Sequence, residues 1–135
     1  MATIADIILN DGAATPVAHT FKVKLNDGGV SRWEDRSSGI PVGFGILVVR
    51  TEDTTNVRKV TLELRLPTLE AVAGANSAGF TPAAQVAYTT RVKAEFFLPQ
   101  RGTTAERKNI LAYLSNGLSN TTIKSVITDG EEFTG

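Results

Sequence analysis

Two carboxylates in strand-like surroundings, Glu63 in TLELRLP and Glu95 in KAEFFLP, are the first candidates for chemistry in this chain. A pair of carboxylates can divide the roles of general acid and general base. Each of these, however, alternates with cations two positions away, Arg65 beside Glu63 and Lys93 beside Glu95. Ion pairing across neighbouring strands accounts for that pattern better than catalysis does. His19 is the single histidine and reads as a solvated or turn-capping residue at a strand edge. Thr51-Glu52-Asp53 reads as a turn without metal-ligand spacing, and Gly39, Gly43 and Gly45 match neither the dinucleotide nor the Walker phosphate-loop spacing. With no cysteine there is no thiolate chemistry, no disulfide and no basis for a structural zinc site. No catalytic residue, metal site, cofactor or small-molecule substrate is predicted.

The stronger signal lies in the positions flanking those glutamates. In VRKVTLELRLP, Val60, Leu62, Leu64 and Leu66 share one side, and Lys59, Thr61, Glu63 and Arg65 share the other. In RVKAEFFLP, Val92, Ala94, Phe96 and Leu98 oppose Arg91, Lys93 and Glu95. Side chains alternate across a strand, so each stretch predicts a half-buried strand with one apolar and one charged face. Lys59, Arg65, Arg91 and Lys93 outnumber Glu63 and Glu95, and Arg50 and Arg58 add to the cations. A flat basic sheet surface can hold a nucleic-acid backbone by displacing phosphate counterions. The competing reading is a solvated outer face laced with cross-strand salt bridges. Phe97 and Tyr88 are the aromatic groups available for stacking on bases.

The elements that must position these residues follow from punctuation and periodicity. Ile4 to Asn10 is a short apolar run ended by Asn10-Asp11-Gly12; His19 to Leu25 alternates and is closed by Asn26-Asp27-Gly28-Gly29. Val30 to Asp35 carries the single tryptophan, Trp33, and Phe44 to Arg50 is an apolar run suited to a central strand. Thr51 to Asn56 reads as a turn, Val57 to Leu66 as a strand, and Gln85 to Leu98 as the last strand. Between them, Pro67 to Pro82 reads as a long loop rich in Ala, Gly and Ser, a length that is usually functional or flexible. After Pro99 the pattern turns helical. Thr103 to Glu106 offers a capping box, Ile110, Leu111, Leu114 and Leu118 form an apolar stripe, and Asn120 caps a second short helix with Ile123, Val126 and Ile127. Strands first and helices last predict an α+β fold in one domain, residues 1–135. Two short helices cannot cover the apolar side of about six strands, so a partner subunit is expected to do so.

Composition agrees. The 135 residues suit one domain, 41% apolar content supports a core, and a formal net charge of zero argues against a uniformly basic binder while leaving room for a local basic patch. The N-terminal run lacks the basic flank and length of a signal peptide, and no segment approaches the roughly 20 apolar residues of a membrane span. A protein working inside a cell, away from membranes, is expected.

The ordered landmarks resemble a coat protein of the single-stranded RNA bacteriophages, the levivirus group. They are the N-terminal hairpin, VSRWED, a central strand ending in Arg50, NVRKVTLELRLP, a small-residue loop, AYTTRVKAEFFLP, and TTAERKNILAYLSNGLSNTTIKSVITDGEEF. The resemblance covers nearly the whole chain. It implies an N-terminal hairpin plus a five-stranded antiparallel sheet followed by two C-terminal helices. It implies an intertwined homodimer in which Ile110, Leu111, Leu114 and Leu118 pack against the partner. Dimers would build an icosahedral shell in the virion, assembled in the bacterial host cytoplasm, around the single-stranded RNA genome. The loop from Thr68 to Ala84 would meet its copies at the symmetry axes, held without disulfides. Arg50, Lys59, Thr61, Glu63, Arg91 and Lys93 match the family's inner RNA-binding surface. Ile46 and Val48 stand where relatives place small hydroxyl residues of adenine pockets, and Arg91 stands in place of a stacking tyrosine. General RNA packaging therefore carries over, while translational repression through one operator hairpin stays open. The alternative is a sheet-based RNA-binding module that does not assemble.

Overall fold

The computed structural model describes residues 3–70 and 83–135. They fall into two compact units, Met1–Phe97 and Leu98–Gly135, each taken separately below.

The first unit is a sheet of six strands in sequence order: β1 (Ile7–Asn10), β2 (Ala18–Asp27), β3 (Val30–Asp35), β4 (Gly45–Asp53), β5 (Val57–Leu69) and β6 (Val86–Pro99). The pairings from β1·β2 to β4·β5 are antiparallel. The expected N-terminal hairpin and five-stranded sheet are thus one continuous sheet, with β1 as its edge. Gly28 and Gly29 join β2 to β3 with φ of 54° and 86°. Side chains rarely adopt that left-handed region, and a Cβ on Gly29 would stand 2.9 Å from the Thr51 carbonyl oxygen.

The register sorts the side chains. Trp33 lies opposite Leu47, Leu47 opposite Leu64, and Val49 opposite Leu62, so these residues share one face. Phe21, Trp33 and Leu47 form the buried centre, with Ile4, Ile7, Val23, Val49, Leu62 and Leu64 packed around it. The Trp33 indole Nε1 donates to the Ala5 carbonyl at 2.8 Å, tying the chain ahead of β1 to the third strand. Gly45 belongs to the same face; a Cβ there would meet Leu66 at 3.2 Å and Phe21 at 3.5 Å.

Three expected boundaries shift. The polar stretch Thr51 to Asn56 is not all turn: β4 runs on to Asp53 because Glu52 and Asp53 lie opposite Lys59 and Arg58, and opposite charges in register favour pairing. The turn is confined to the residues after Asp53, where Thr54 and Val57 exchange hydrogen bonds. β5 continues through Pro67 to Leu69; Pro67 lies past the last β4 pair, Ile46 with Arg65, where its missing N–H costs that ladder nothing. The predicted Thr68 to Ala84 loop therefore loses its first residues to β5, and residues 71–82 lie outside the described residues. Between Val23 and Leu25 the register of β2 shifts, a bulge that the alternation of His19 to Leu25 does not reveal.

The second unit holds α1 (Thr104–Ser119) and α2 (Thr121–Thr128). The capping box forms as expected. Glu106 N–H donates to Thr103 Oγ1 at 3.2 Å, and Thr103 N–H donates to Glu106 Oε2 at 3.0 Å. Asn120 Oδ1 accepts from Thr122 N–H at 3.0 Å and Ile123 N–H at 3.4 Å, which starts α2 directly after α1. No residue of either helix is buried, and Ile110, Leu111, Leu114 and Leu118 are 50%, 58%, 39% and 52% exposed.

Truncating the tryptophan removes both core volume and the tie to Ala5. Trp33→Ala is expected to cost about 3–5 kcal/mol, read as a lower urea midpoint by far-ultraviolet circular dichroism, since the variant lacks the only indole.

Candidate functional site

The opposite face of the sheet carries the charge. In register, Lys22 lies opposite Glu34, Glu34 opposite Ile46, and Ile46 opposite Arg65; one row along, Arg32 lies opposite Val48 and Val48 opposite Glu63. The next row sets Val30, Arg50 and Thr61 side by side, and the last sets Glu52 against Lys59. β6 lies beside β5 and joins the same face through its ion pairs.

Two glutamates organise it. Glu63 is buried, yet Arg65 Nε donates to its Oε1 at 2.6 Å and Arg91 Nε stands 3.3 Å from the same oxygen. The Arg65 hydrogen bond holds the Glu63 carboxyl below the usual carboxylate range against the opposing effect of burial, helped by the charges of Arg65, Arg91 and Arg50. Glu34 is buried too, between Lys24 Nζ at 2.8 Å and Arg36 Nε at 3.3 Å. The Lys24 hydrogen bond holds it low in the same way, again against burial and with help from Arg36. Glu95, at the β6 end, is shared by Lys59 at 3.6 Å and Lys93 at 3.4 Å. Lys59 also stands 5.7 Å from the centre of the Phe97 ring, a cation–π distance.

All six residues expected on this surface come together. Arg50, Lys59, Thr61 and Glu63 share the face by register, and Arg91 and Lys93 reach it through Glu63 and Glu95. Phe97 is placed there by Lys59, whereas Tyr88 falls on the alternation of Val92, the apolar side. Ile46 and Val48 face the charged side without any displacement of register, but Val48 is only 5% exposed, so no open pocket forms over it. The glutamates do not work as an acid–base pair: each is committed to cations. Sequence reasoning missed Glu34 with its partners Lys24 and Arg36. The signal was present in the alternation of Arg32 and Glu34 about Trp33, but the bulge in β2 that brings Lys24 to Glu34 has no sequence mark. Among the described residues no cluster of His, Cys, Asp or Glu could hold a metal ion, and no helix is long and apolar enough to cross a membrane.

A model of the levivirus coat protein family matches residues 2–133. The chain belongs to that family. As a levivirus coat protein it serves a structural, capsid role. Among solved structures, the virus-like particle of bacteriophage ESE058 is 29% identical with a TM-score of 0.88, covering 98% of this chain and 100% of that one. The virus-like particle of bacteriophage NT-214 is 28% identical with a TM-score of 0.87 over the same shares. The capsid protein of bacteriophage GA, 19% identical with a TM-score of 0.77 over 98% of each chain, shares the fold. No curated protein matches the chain. The two-helix ending after an antiparallel sheet, expected for this levivirus coat protein, is thereby found, with six strands in one sheet.

On the apolar side of the coat protein, His19 is partly solvated, as expected at a strand edge, but it is more than a turn cap. Its Nε2 lies 3.1 Å from Asp11 Oδ2 and its Nδ1 lies 3.1 Å from Asp35 Oδ2, so it joins the β1–β2 turn to β3. Both nitrogens face carboxylates, an arrangement suited to the doubly protonated ring. The Asp11 hydrogen bond raises the His19 pKa above its usual 6.5, with Asp35 adding to it and burial opposing.

These directions give opposite pH dependences. The lowered pKa values of Glu34 and Glu63 contribute stability above the ordinary value of 4.5, lost as pH falls through the folded values. The raised pKa of His19 contributes stability below 6.5, lost as pH rises through its folded value. Urea midpoints measured against pH are expected to fall at both ends. The double variant Glu34→Gln and Glu63→Gln flattens the acid limb, and His19→Gln flattens the limb above 6.5.

Proposed function

We propose that this coat protein dimerises, assembles into an icosahedral shell around single-stranded RNA, and binds that RNA through the charged face of its sheet. The observation that carries the reading is the family match over residues 2–133 combined with a single face that gathers Arg50, Lys59, Thr61, Glu63, Arg91 and Lys93. The virus-like particles among the solved relatives support self-assembly. The whole chain, 1–135, acts as one coat-protein domain. The shell is that of the virion, and assembly takes place in the bacterial host cytoplasm.

The apolar side supports the dimer. An open hollow of about 420 Å³ on that face is lined by Leu9, Phe21, Leu64 and Leu66, with His19 and Asp35 at its rim. Helix residues Ile110, Leu111, Leu114 and Leu118 remain exposed in the isolated chain, as do Val92 and Tyr88 on β6. Apolar surface on both a sheet face and a helix stripe is what a partner subunit would bury. RNA contact on the other face is electrostatic: the cations displace counterions from phosphates, and Phe97 offers a ring to a base. The absence of an open pocket at Val48 favours general packaging of the genome over readout of one hairpin; repression of translation through such a hairpin would need other contacts.

Expression in bacteria followed by electron microscopy is expected to show uniform shells containing RNA. Persistent dimers or monomers at high concentration would leave only an RNA-binding module that does not assemble. The triple variant Lys59→Ala, Arg91→Ala, Lys93→Ala is expected to bind RNA more weakly and with a shallower salt dependence, by up to about one unit of slope per lost phosphate contact. Leu114→Asp is expected to break dimers, because a buried unpaired carboxylate costs several kcal/mol; sedimentation reads the outcome.

A further inference from the structure

Sorting the cations of the charged face by their partners separates two kinds. Lys24 and Arg36 share Glu34, Arg65 and Arg91 share Glu63, and Lys59 and Lys93 share Glu95. Arg32 and Arg50 have no ion pair among the described residues. Lys22 has none either, although it lies opposite Glu34, a carboxylate already held by two cations. Acids stand near both: Glu34, held by Lys24 and Arg36, is two positions from Arg32 on β3, Glu52 is two positions from Arg50 on β4, and the charge of Glu63 acts on Arg50 at a distance while its oxygens are taken by Arg65 and Arg91.

Arg32 and Arg50 are also neighbours. Arg32 lies opposite Val48 on β4, and Arg50 lies opposite Val30 on β3. That is the diagonal relation of an antiparallel pair, roughly 7–8 Å between Cα atoms and within reach of long side chains. Two like charges at this spacing repel unless an anion lies between them. Among the described residues Arg32 Nε has no hydrogen-bond partner and is shut off from solvent, so the outer guanidinium nitrogens are the ones a ligand can reach. The floor beneath the pair is apolar, with Val48 5% exposed, and a low-polarity floor strengthens any contact with an anion.

We propose that Arg32 and Arg50 form a phosphate clamp for the backbone of single-stranded RNA, centred on β3 and β4 and separate from the glutamate-anchored cations of β5 and β6. It rests on the RNA-binding reading above and adds β3 to the surface. The guanidinium fork matches phosphate oxygens in two-point contact, which an ammonium cannot reproduce. The clamp reads phosphate and not base, so it serves packaging of any sequence. It also gives the strand a path toward Lys22 at the β2 side of the sheet.

The test uses the purified full-length protein and a short oligouridylate as probe, titrated over a range of salt. Arg32→Gln is expected to weaken binding about tenfold, the equivalent of 1.4 kcal/mol, and to reduce the salt slope by about one unit. Arg32→Lys recovers only part of the affinity. In the wild-type protein, whose folding is not in question, the Arg32 Nε–H resonance shifts on adding the oligouridylate. An Arg32 resonance that stays fixed while that of Arg91 moves overturns the clamp and leaves the RNA-binding reading standing. So does an Arg32→Gln variant with wild-type affinity and slope when the Lys59, Arg91, Lys93 triple variant has lost both. A wild-type protein that does not bind the oligouridylate at low salt overturns both.

Discussion

Leu47 lies in register between Trp33 and Leu64, and the rest of the sheet depends on that alignment. Side chains alternate with a period of two, so a slip of one residue would exchange the faces of a strand. Trp33 and Leu64 would lose their neighbour, and Val48 would enter the core in its place. Glu34 and Glu63 would then lose the neighbours that their positions assume. The apolar core is small, centred on Phe21, Trp33 and Leu47, yet it sets the register, and the register sets where every charge on the other side falls.

The charged face is governed by its acids as much as by its bases. Glu34 and Glu63 are buried carboxylates, and a buried charge is costly unless it is paired and hydrogen-bonded. Each is therefore held between two cations, and in being held it fixes where those cations stand. Arg65 and Arg91 are drawn to one carboxylate from two strands, and Lys24 and Arg36 to another. The same arrangement lowers the net charge of the face without removing its cations from solvent: Arg91 remains 59% exposed while it contacts Glu63. In a surface of this kind the cations are held in place by the protein's own acids. The apolar side follows a different logic. The hollow beside Phe21 and the exposed stripe on α1 are apolar surface that a single chain leaves uncovered.

Much of this was legible in the residues. The strict alternation of Val57 to Leu66 and of Arg91 to Leu98 identified the two-faced strands, and Asn26-Asp27-Gly28-Gly29 identified the tightest turn. Thr103 with Glu106 and Asn120 marked both helix starts, because capping is a local interaction between groups a few residues apart. The six residues expected on one face are found on one face. What escaped was non-local. The pairing of Glu52 and Asp53 with Lys59 and Arg58 extended β4 past a stretch whose composition reads as turn. The bulge at Val23 to Leu25 brought Lys24 to Glu34, and the carboxylates on either side of His19 come from the β1–β2 turn and from β3.

The sequence by itself determined the order of strands and helices, the two-faced character of β5 and β6, and the absence of thiol chemistry, because periodicity and capping act over a few residues. Only the tertiary structure decided which cations share a carboxylate and which stand without one. Partnership across a sheet depends on register between strands, and register is settled by packing on the far face. Lys59 and Arg32 look alike in the chain, as cations on the polar side of a strand. In the folded sheet one shares Glu95, and among the described residues the other has neither a carboxylate partner nor an acceptor for its Nε.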